Sequence, residues 1–146
     1  MKALSIIQPW ASLIALGAKK IETRSWRTEY REPVAIHASK RIPEDCWLLC
    51  FEEPFKTALA EFFMGNSIYI PTGSIVAIAT IADCIPVEQI SPELATEIAF
   101  GNYEPGRFAW LLTAVKRFQR PIQCKGAQGL WTVPEEIEER LRGQID

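Results

Sequence analysis

The sequence predicts an α+β fold, namely a small mixed β-barrel with peripheral helices, and three observations support this prediction. The chain of 146 residues is long enough for a substantial core, so we expect a single domain over residues 1–146. Several segments have the continuous or alternating apolar pattern of strands, and shorter ones have helical spacing. The predicted order, β-α-β-β-α-α-β-α-β-loop-α, lacks the regular alternation that builds a doubly wound parallel sheet.

The first forty residues predict three strands and one helix. Pro9 suits the first turn of a helix, Gly17 suits its end, and apolar residues lie between them. The other three segments have the pattern of strands, and two of them alternate apolar with polar residues, as half-buried strands do. In chain order these elements are a strand in KALSIIQ, a helix in PWASLIALG, a strand in KKIETRSW and a strand in VAIHAS.

The middle of the chain predicts two helices and the central strand of the fold. Residues 43–64 have helical character, and Pro54 divides them, because proline is tolerated in a first helical turn but not in an interior. GNSIYIPTG predicts a loop with a short extended piece. SIVAIATIADCI is the longest β-rich apolar run, which indicates a strand buried on both faces.

The last third predicts a helix, a long strand, a loop and a closing helix. SPELATEIAFG predicts a short helix that Ser91 caps and Gly101 ends. RFAWLLTAVKRF predicts a strand, and the glycine-containing PIQCKGAQGLW predicts a loop or hairpin. PEEIEERLR closes the chain as a helix with acidic residues early and arginines late, which suits the helix dipole.

Charge is unevenly distributed along the chain. The net charge is −2, yet residues 1–41 carry +5 and residues 107–125 carry +5, whereas residues 44–104 carry −9 and the last twelve residues −3. The overall negative charge argues against indiscriminate binding of duplexes. The two basic segments could still meet in the fold as one local groove for an anion or a nucleic acid.

Composition also limits the cofactors and the location that we expect. Four cysteines and the single histidine, His37, lack the spacing of a metal site, so we expect neither a metal nor another cofactor, and we expect reduced, buried thiols. No apolar run approaches the length of a membrane span, and MKALSIIQPW lacks the pattern of a signal peptide. We therefore expect a cytoplasmic protein with no membrane association.

The segment GAKKIETRSW, residues 17–26, places a carboxylate between cations at strand-like spacing. On a strand, Lys20, Glu22 and Arg24 project to the same side at intervals of about 7 Å. Such a triplet could be a solvated strand face that contributes little to stability. It could also form a polar site, and the nearby rings of Trp10 and Trp26 favour this alternative, because a flat ring beside hydrogen-bonding side chains can hold an unstacked base.

The segment IHASK brings His37, Ser39 and Lys40 together. The three side chains could form a nucleophilic cluster or contact a ligand. However, side chains two apart on one strand point outward in parallel, which favours a structural role for the histidine. The later CKGAQGLW contains two glycines that would allow a backbone to approach a ligand closely, but it matches no phosphate-loop pattern.

LSIIQPWASLIALGAKKIETRSW followed by VAIHASK resembles the ASCH family, the activating-signal-cointegrator homology domains, which are similar in fold to PUA RNA-binding domains. The hallmark of that family is a Gly-x-Lys-x-x-Glu-x-Arg motif after the first helix. Gly17, Lys19, Glu22 and Arg24 fill this motif completely. The likeness also covers GSIVAIATIADC, FAWLL and KGAQGLW, and hence most of the chain.

The resemblance implies a PUA-like barrel with a cleft that the motif lines, and single-stranded RNA or a nucleoside-like molecule as the ligand. The motif selects Lys19 for this cleft, whereas strand alternation selects Lys20, which we place at the rim as a phosphate contact. The predicted ligand-binding residues are Trp10, Lys19, Lys20, Glu22, Arg24, Trp26, His37, Ser39 and Lys40. No protein partner is predicted by name, although the acidic 44–104 region could recognise one.

The resemblance also leaves enzymatic alternatives open. One bacterial branch of the family resembles an amidohydrolase that deacetylates N4-acetylcytidine, and other members suggest RNA cleavage. In an enzyme, Lys19 and Glu22 would be the catalytic residues. That branch has a threonine where this chain has Glu22, and it uses a downstream glutamate for which Glu97 and Glu104 are the candidates.

Overall fold

A curled six-stranded sheet forms the body of the protein in the computed structural model, which describes residues 1–145. The strand order is β2-β7-β6-β3-β1-β8, and a separate hairpin pairs β4 with β5. The strands are β1 (Lys2–Ile6), β2 (Ile21–Arg24), β3 (Pro33–Ala38), β4 (Phe63–Met64), β5 (Ser67–Ile68), β6 (Ser74–Pro86), β7 (Phe108–Gln123) and β8 (Leu130–Thr132). This half-barrel with helices around it confirms the predicted α+β class.

The two longest strands, β6 and β7, pair antiparallel at the centre of the sheet. β6 contains the predicted apolar run, pairs with β3 and β7 at its two edges, and is buried along most of its length, because its side chains pack into two core clusters. The ladder between β6 and β7 shifts register at three places. Such bulges increase local twist and bend strands, which explains how the sheet curls into a half-barrel.

Five helices lie among the described residues: α1 (Trp10–Ala15), α2 (Glu44–Leu49), α3 (Phe55–Ala58), α4 (Ala95–Ala99) and α5 (Glu135–Ile145). α1 sits between two parts of the core. Its Ala11 and Ile14 pack in the cluster formed by the sheet, whereas Leu13 packs in a second cluster with Phe55 and Phe100. This double burial fixes the end of α1, after which the motif residues begin.

Three local predictions were wrong. Ser91 does not cap α4, because that helix begins at Ala95 and the Ser91 hydroxyl accepts a hydrogen bond from the Glu93 backbone at 3.2 Å. The predicted second helix of the 43–64 region ends early, and residues 63–64 join the β4–β5 hairpin. The loop predicted for PIQCKGAQGLW starts later than expected, because β7 continues through Pro121 to Gln123. Pro121 lies within a register shift, where the pairing with β6 does not require the backbone N–H that proline lacks.

Candidate functional site

A cleft of about 700 Å³ opens where the edge strand β2 curls back towards β1. Arg24 on β2 joins the two strands, because its Nη2 donates a hydrogen bond to the Ser5 carbonyl on β1 at 2.9 Å. We call this feature the central cleft. The residues that define it are Trp10, Glu22, Arg24, Trp26, Ser39 and Gln128.

Three charged side chains of the motif form a continuous chain beside the central cleft. The Glu22 carboxylate lies between two cations: its Oε1 is 3.7 Å from Lys19 Nζ, and its Oε2 is 2.9 Å from Arg24 Nη2. The side chain of Lys19 is 1% exposed and that of Glu22 is 10% exposed. A buried, paired carboxylate of this kind is not the solvated strand face that the sequence left open as an alternative.

Local backbone geometry directs Lys19 inward. Gly17 follows α1 with φ of +81°, a conformation that glycine adopts easily, and the amides of Ala18 and Lys19 both donate to the Leu13 carbonyl at 3.0 Å. Lys19 therefore precedes β2 rather than belonging to it, and strand alternation does not apply to it. Its neighbour Lys20 is exposed, and its side chain does not share the buried position of Glu22.

A segment far along the chain covers Lys19. Lys19 Nζ donates to the Phe100 carbonyl at 2.9 Å, and the Glu97 carboxylate accepts from the backbone amides of Lys20 and Ile21. Burial lowers the pKa of Lys19, and the nearby Glu22 and Glu97 carboxylates oppose this shift. Of the two candidate downstream glutamates, Glu97 is therefore the one beside the motif.

Tyr103 contributes a buried hydroxyl to the same segment. Among the described residues its Oη has no hydrogen-bond partner. Burial raises the pKa of Tyr103, and the carboxylates of Glu97 and Glu22 raise it further. A Cβ placed on Gly101 would lie 3.0 Å from the Tyr103 ring and 3.4 Å from Lys19 Nζ, so only glycine fits between them without displacement.

A smaller pocket of about 330 Å³ adjoins the central cleft, and we call it the inner pocket. Lys19, Glu22, Thr23, Phe100 and Asn102 define it. The inner pocket and the central cleft share Trp10, Glu22, Thr23 and Arg107. Glu22 therefore lines both concave regions.

The two predicted tryptophans line the central cleft in different ways. Trp10 packs edge-on against Phe55 with ring centroids 6.3 Å apart. Trp26 is 36% exposed and stands edge-on to the buried Trp110 at 4.7 Å. Trp110 therefore holds the Trp26 ring in a T-shaped pair, while about a third of Trp26 remains accessible to a ligand.

His37, Ser39 and Lys40 line a second concave region of about 830 Å³, which we call the lysine depression. Thr72, Gln123 and Lys125 complete its definition. His37 is 2% exposed, and its Nε2 lies 2.6 Å from the Cys124 carbonyl. Since a carbonyl oxygen only accepts, Nε2 carries the hydrogen and donates it.

The hydrogen bonds of His37 favour a structural role for this residue over a role in a nucleophilic cluster with Ser39. Its Nδ1 accepts from the hydroxyl of Ser5, 3.0 Å away, and the Ser5 oxygen accepts from the indole N–H of Trp131. Burial lowers the pKa of His37, whereas the hydrogen bond to Cys124 raises it. The polar partner of the histidine is thus Ser5 on the adjacent strand β1, rather than Ser39.

Several residues at these sites were not among the predicted ligand-binding residues. Arg107 lines both the central cleft and the inner pocket, where its Nε donates to the Asn102 carbonyl and its Nη2 to the Thr23 carbonyl, each at 3.1 Å. Arg107 reaches Thr23 because β7 pairs with β2, and only that pairing could have indicated it. The others are Ser5, Thr23, Phe100, Tyr103 and Gln128.

Residues 1–145 contain no group of histidine, cysteine and acidic side chains that could hold a metal ion, and all four cysteines are free thiols. None of the helices in this part of the chain is long and apolar enough to cross a membrane.

A curled half-barrel with a polar cleft beside its first helix defines a PUA-like α+β domain. The family model for the ASCH domain matches residues 4–122, so the chain belongs to the ASCH family, as its motif predicted.

Relatives and solved structures agree with this assignment. Activating signal cointegrator 1 from Homo sapiens is 24% identical over 136 residues, and its counterpart from Mus musculus is 23% identical over 139 residues. Each match covers 93% of this chain but only 23% of the relative, so the chain spans about a quarter of their length.

The crystal structure of ASCH from Zymomonas mobilis is similar in fold, with a TM-score of 0.60 at 15% identity over 97% of this chain and 93% of that one. The crystal structure of a mutant of that protein, in which alanine replaces a serine, gives a TM-score of 0.55, also at 15% identity. This second match covers 97% of this chain and 94% of the mutant.

Proposed function

We propose that this ASCH domain binds RNA or a modified nucleoside by taking one unstacked base into the central cleft. The observation that carries the proposal is the buried Glu22 carboxylate, held between Lys19 and Arg24 in a cleft that Trp10 and Trp26 also line. Proteins recognise single-stranded RNA by this combination of stacking rings and hydrogen bonds to base edges.

Each group of the central cleft has a chemical role in this proposal. Glu22 accepts hydrogen bonds from base N–H groups, since an ionised carboxylate only accepts. Within residues 1–145, Arg24 bonds through Nε and Nη2, which leaves Nη1 to donate to a base carbonyl or a phosphate. Trp26, which is 36% exposed, provides an aromatic ring on which a base can stack.

The two basic segments of the sequence also support a nucleic-acid ligand, because each contributes to the same surfaces. Arg24 from the first segment and Arg107 from the second both line the central cleft. Lys40 from the first and Lys125 from the second both line the lysine depression. Positive charge from distant parts of an acidic chain is thereby concentrated around the proposed site.

Titration of a fluorescein-labelled single-stranded RNA of about ten random nucleotides tests the proposal by fluorescence anisotropy. We expect binding that is clearly tighter at about 50 mM than at about 200 mM salt. Arg24→Lys keeps the charge but loses the planar fork, so it should weaken binding, whereas Lys56→Gln on α3 should not. Absence of binding at the lower salt concentration would contradict the proposal.

A second candidate is an amidohydrolase that acts on an acylated pyrimidine nucleoside, or a related RNA-cleaving enzyme. The observation that favours it is Lys19, whose pKa is lowered by burial beside Glu22, because such a lysine can accept a proton as a general base. Thr23 lines both the central cleft and the inner pocket. It directly follows position 22, where the amidohydrolase branch has a threonine and this chain has Glu22.

Incubation with N4-acetylcytidine, followed by chromatography of the cytidine formed, tests the enzymatic candidate. Activity that Lys19→Met abolishes while the unfolding transition remains cooperative would favour it over simple binding. Intact labelled RNA after prolonged incubation would count against RNA cleavage.

A further inference from the structure

The lysine depression adjoins the central cleft closely enough for one ligand to occupy both. The two share Ser5, Ser39, Ala127 and Gln128 among the residues that line them. With volumes of about 830 Å³ and 700 Å³, each has the size of a site for a small organic molecule. A ligand that fills only the central cleft would leave the larger of the two unused.

The lining of the lysine depression suits an anion with many oxygens. Lys40 and Lys125 are both exposed, and neither makes an ion pair with any described residue. No carboxylate lies among the described residues that line the depression. Thr72 and Gln123 add a hydroxyl and an amide, which can bond to sugar and phosphate oxygens.

The cations at the central cleft differ from those of the lysine depression, because they have partners among the described residues. The carboxylate of the central cleft, Glu22, pairs with both Lys19 and Arg24 and offsets one of their two positive charges, and the Arg107 guanidinium donates to two backbone carbonyls. The cations at the central cleft are thus bonded to a carboxylate or to backbone carbonyls, whereas Lys40 and Lys125 make no ion pair with a described residue. An uncharged base edge fits the first region, and a phosphate group fits the second.

The loop of residues 124–129, which lines both regions, is held in place by a close contact. A Cβ on Gly126 would lie 2.5 Å from His37 Cε1 and 2.6 Å from Ser5 Oγ, so the 124–129 loop lies directly on these two side chains. The Cys124 carbonyl also accepts the hydrogen bond from His37. The relative position of the central cleft and the lysine depression is therefore set before a ligand binds.

We propose, on the basis of the function proposed above, that the ligand is a nucleotide within a strand rather than a free nucleoside. Its base occupies the central cleft, and the adjoining phosphodiester lies over the lysine depression between Lys40 and Lys125. The smallest complete ligand is then a dinucleoside monophosphate. Lys40 and Lys125 contact the phosphodiester, and Glu22 and Arg24 form hydrogen bonds to the base.

Competition against the labelled RNA described above tests this inference. The competitors are a mixture of the common ribonucleosides and a mixture of the dinucleoside monophosphates built from them. We expect the dinucleoside monophosphates to displace the labelled RNA at a concentration at least about tenfold lower than the nucleosides. The Lys40→Gln/Lys125→Gln double variant should lose this advantage.

The same double variant should reduce the slope of log affinity against log salt for the labelled RNA by about 1 to 2, as expected for two phosphate contacts. A matched control is Lys56→Gln/Arg140→Gln, which also removes two exposed cations, neither of which lines the central cleft or the lysine depression. It should preserve both the preference for dinucleoside monophosphates and most of the slope.

Equal potency of nucleosides and dinucleoside monophosphates would overturn the inference and leave the proposed function intact. An advantage that persists in the Lys40→Gln/Lys125→Gln variant would also overturn it. Failure of the labelled RNA itself to bind is a different result, because it contradicts the proposed function first.

Discussion

Lys19 Nζ lies 3.7 Å from Glu22 Oε1, with the lysine side chain 1% exposed and the glutamate side chain 10% exposed. The two residues lie on either side of the point where the chain enters β2. An ion pair that is removed from water is costly to form and more costly to break on one side only. This relationship connects the stability of the fold to the electrostatics of the proposed site.

Glu22→Gln should destabilise the protein by about 3 kcal/mol, because it leaves Lys19 buried without its nearest counter-charge. Urea unfolding followed by circular dichroism measures this change. The matched control is Glu61→Gln, which removes the partner of Arg117 in a pair that is largely exposed. That substitution should cost less than about 1 kcal/mol.

The Lys19→Met/Glu22→Gln double variant should recover part of the stability that Glu22→Gln loses, because no unpaired buried ammonium remains. We expect a coupling energy of about 1 to 3 kcal/mol from the corresponding double-mutant cycle. If the two effects add without coupling, Lys19 and Glu22 do not stabilise each other.

Stability should fall as the pH drops below about 6.5, the ordinary titration range of histidine. Burial lowers the pKa of His37 in the folded protein, so in this range the unfolded chain binds more protons than the folded one. Stability is then fully present above the unfolded pKa and is lost as the pH falls towards the folded pKa. Ser5, Cys124 and Trp131 are the groups that contact the ring.

Urea unfolding of the wild type and of His37→Gln at about pH 5.5 and about pH 7.5 measures this dependence. The chain has one histidine, so the variant should lose most of the difference between the two pH values. An unchanged difference in His37→Gln would assign the pH dependence to other groups.

Gly126→Ala should destabilise the protein by about 1 to 3 kcal/mol, because the added Cβ would overlap the His37 ring and the Ser5 hydroxyl. Gly143→Ala is the control: it lies in α5, and its added Cβ would meet nothing within 4 Å. That change should be neutral or stabilising by up to about 1 kcal/mol. Thermal unfolding of both variants checks the contrast, and equal effects would contradict the packing argument.

Trp26→Leu should weaken binding of the labelled RNA by roughly tenfold, because stacking of one base on an aromatic ring contributes about 1 to 3 kcal/mol. Tyr69→Leu removes another exposed aromatic ring, near the β4–β5 hairpin and outside the central cleft. Its affinity should match that of the wild type. Equal loss in both variants would indicate nonspecific contacts rather than stacking in the cleft.

Local sequence signals were enough to predict most elements of the fold and the family. Pro9 and Gly17 mark the two ends of the first helical region, and the apolar runs of β6 and β7 identify the central strands, because helix ends and buried strands have local signatures. The Gly17-x-Lys19-x-x-Glu22-x-Arg24 spacing likewise needed no coordinates to be noticed.

Contacts between side chains that are distant in the chain became visible only in the assembled fold. Lys19 is buried because Phe100 and Glu97, about eighty positions later, close over it, and Arg107 reaches Thr23 because β7 lies beside β2. These contacts depend on the strand order and the curl of the sheet, and those properties arise from all strands together. The local periodicity of a strand indicates which of its faces is buried, but it does not indicate which strands it pairs with. It therefore does not predict how the central cleft and the lysine depression are assembled.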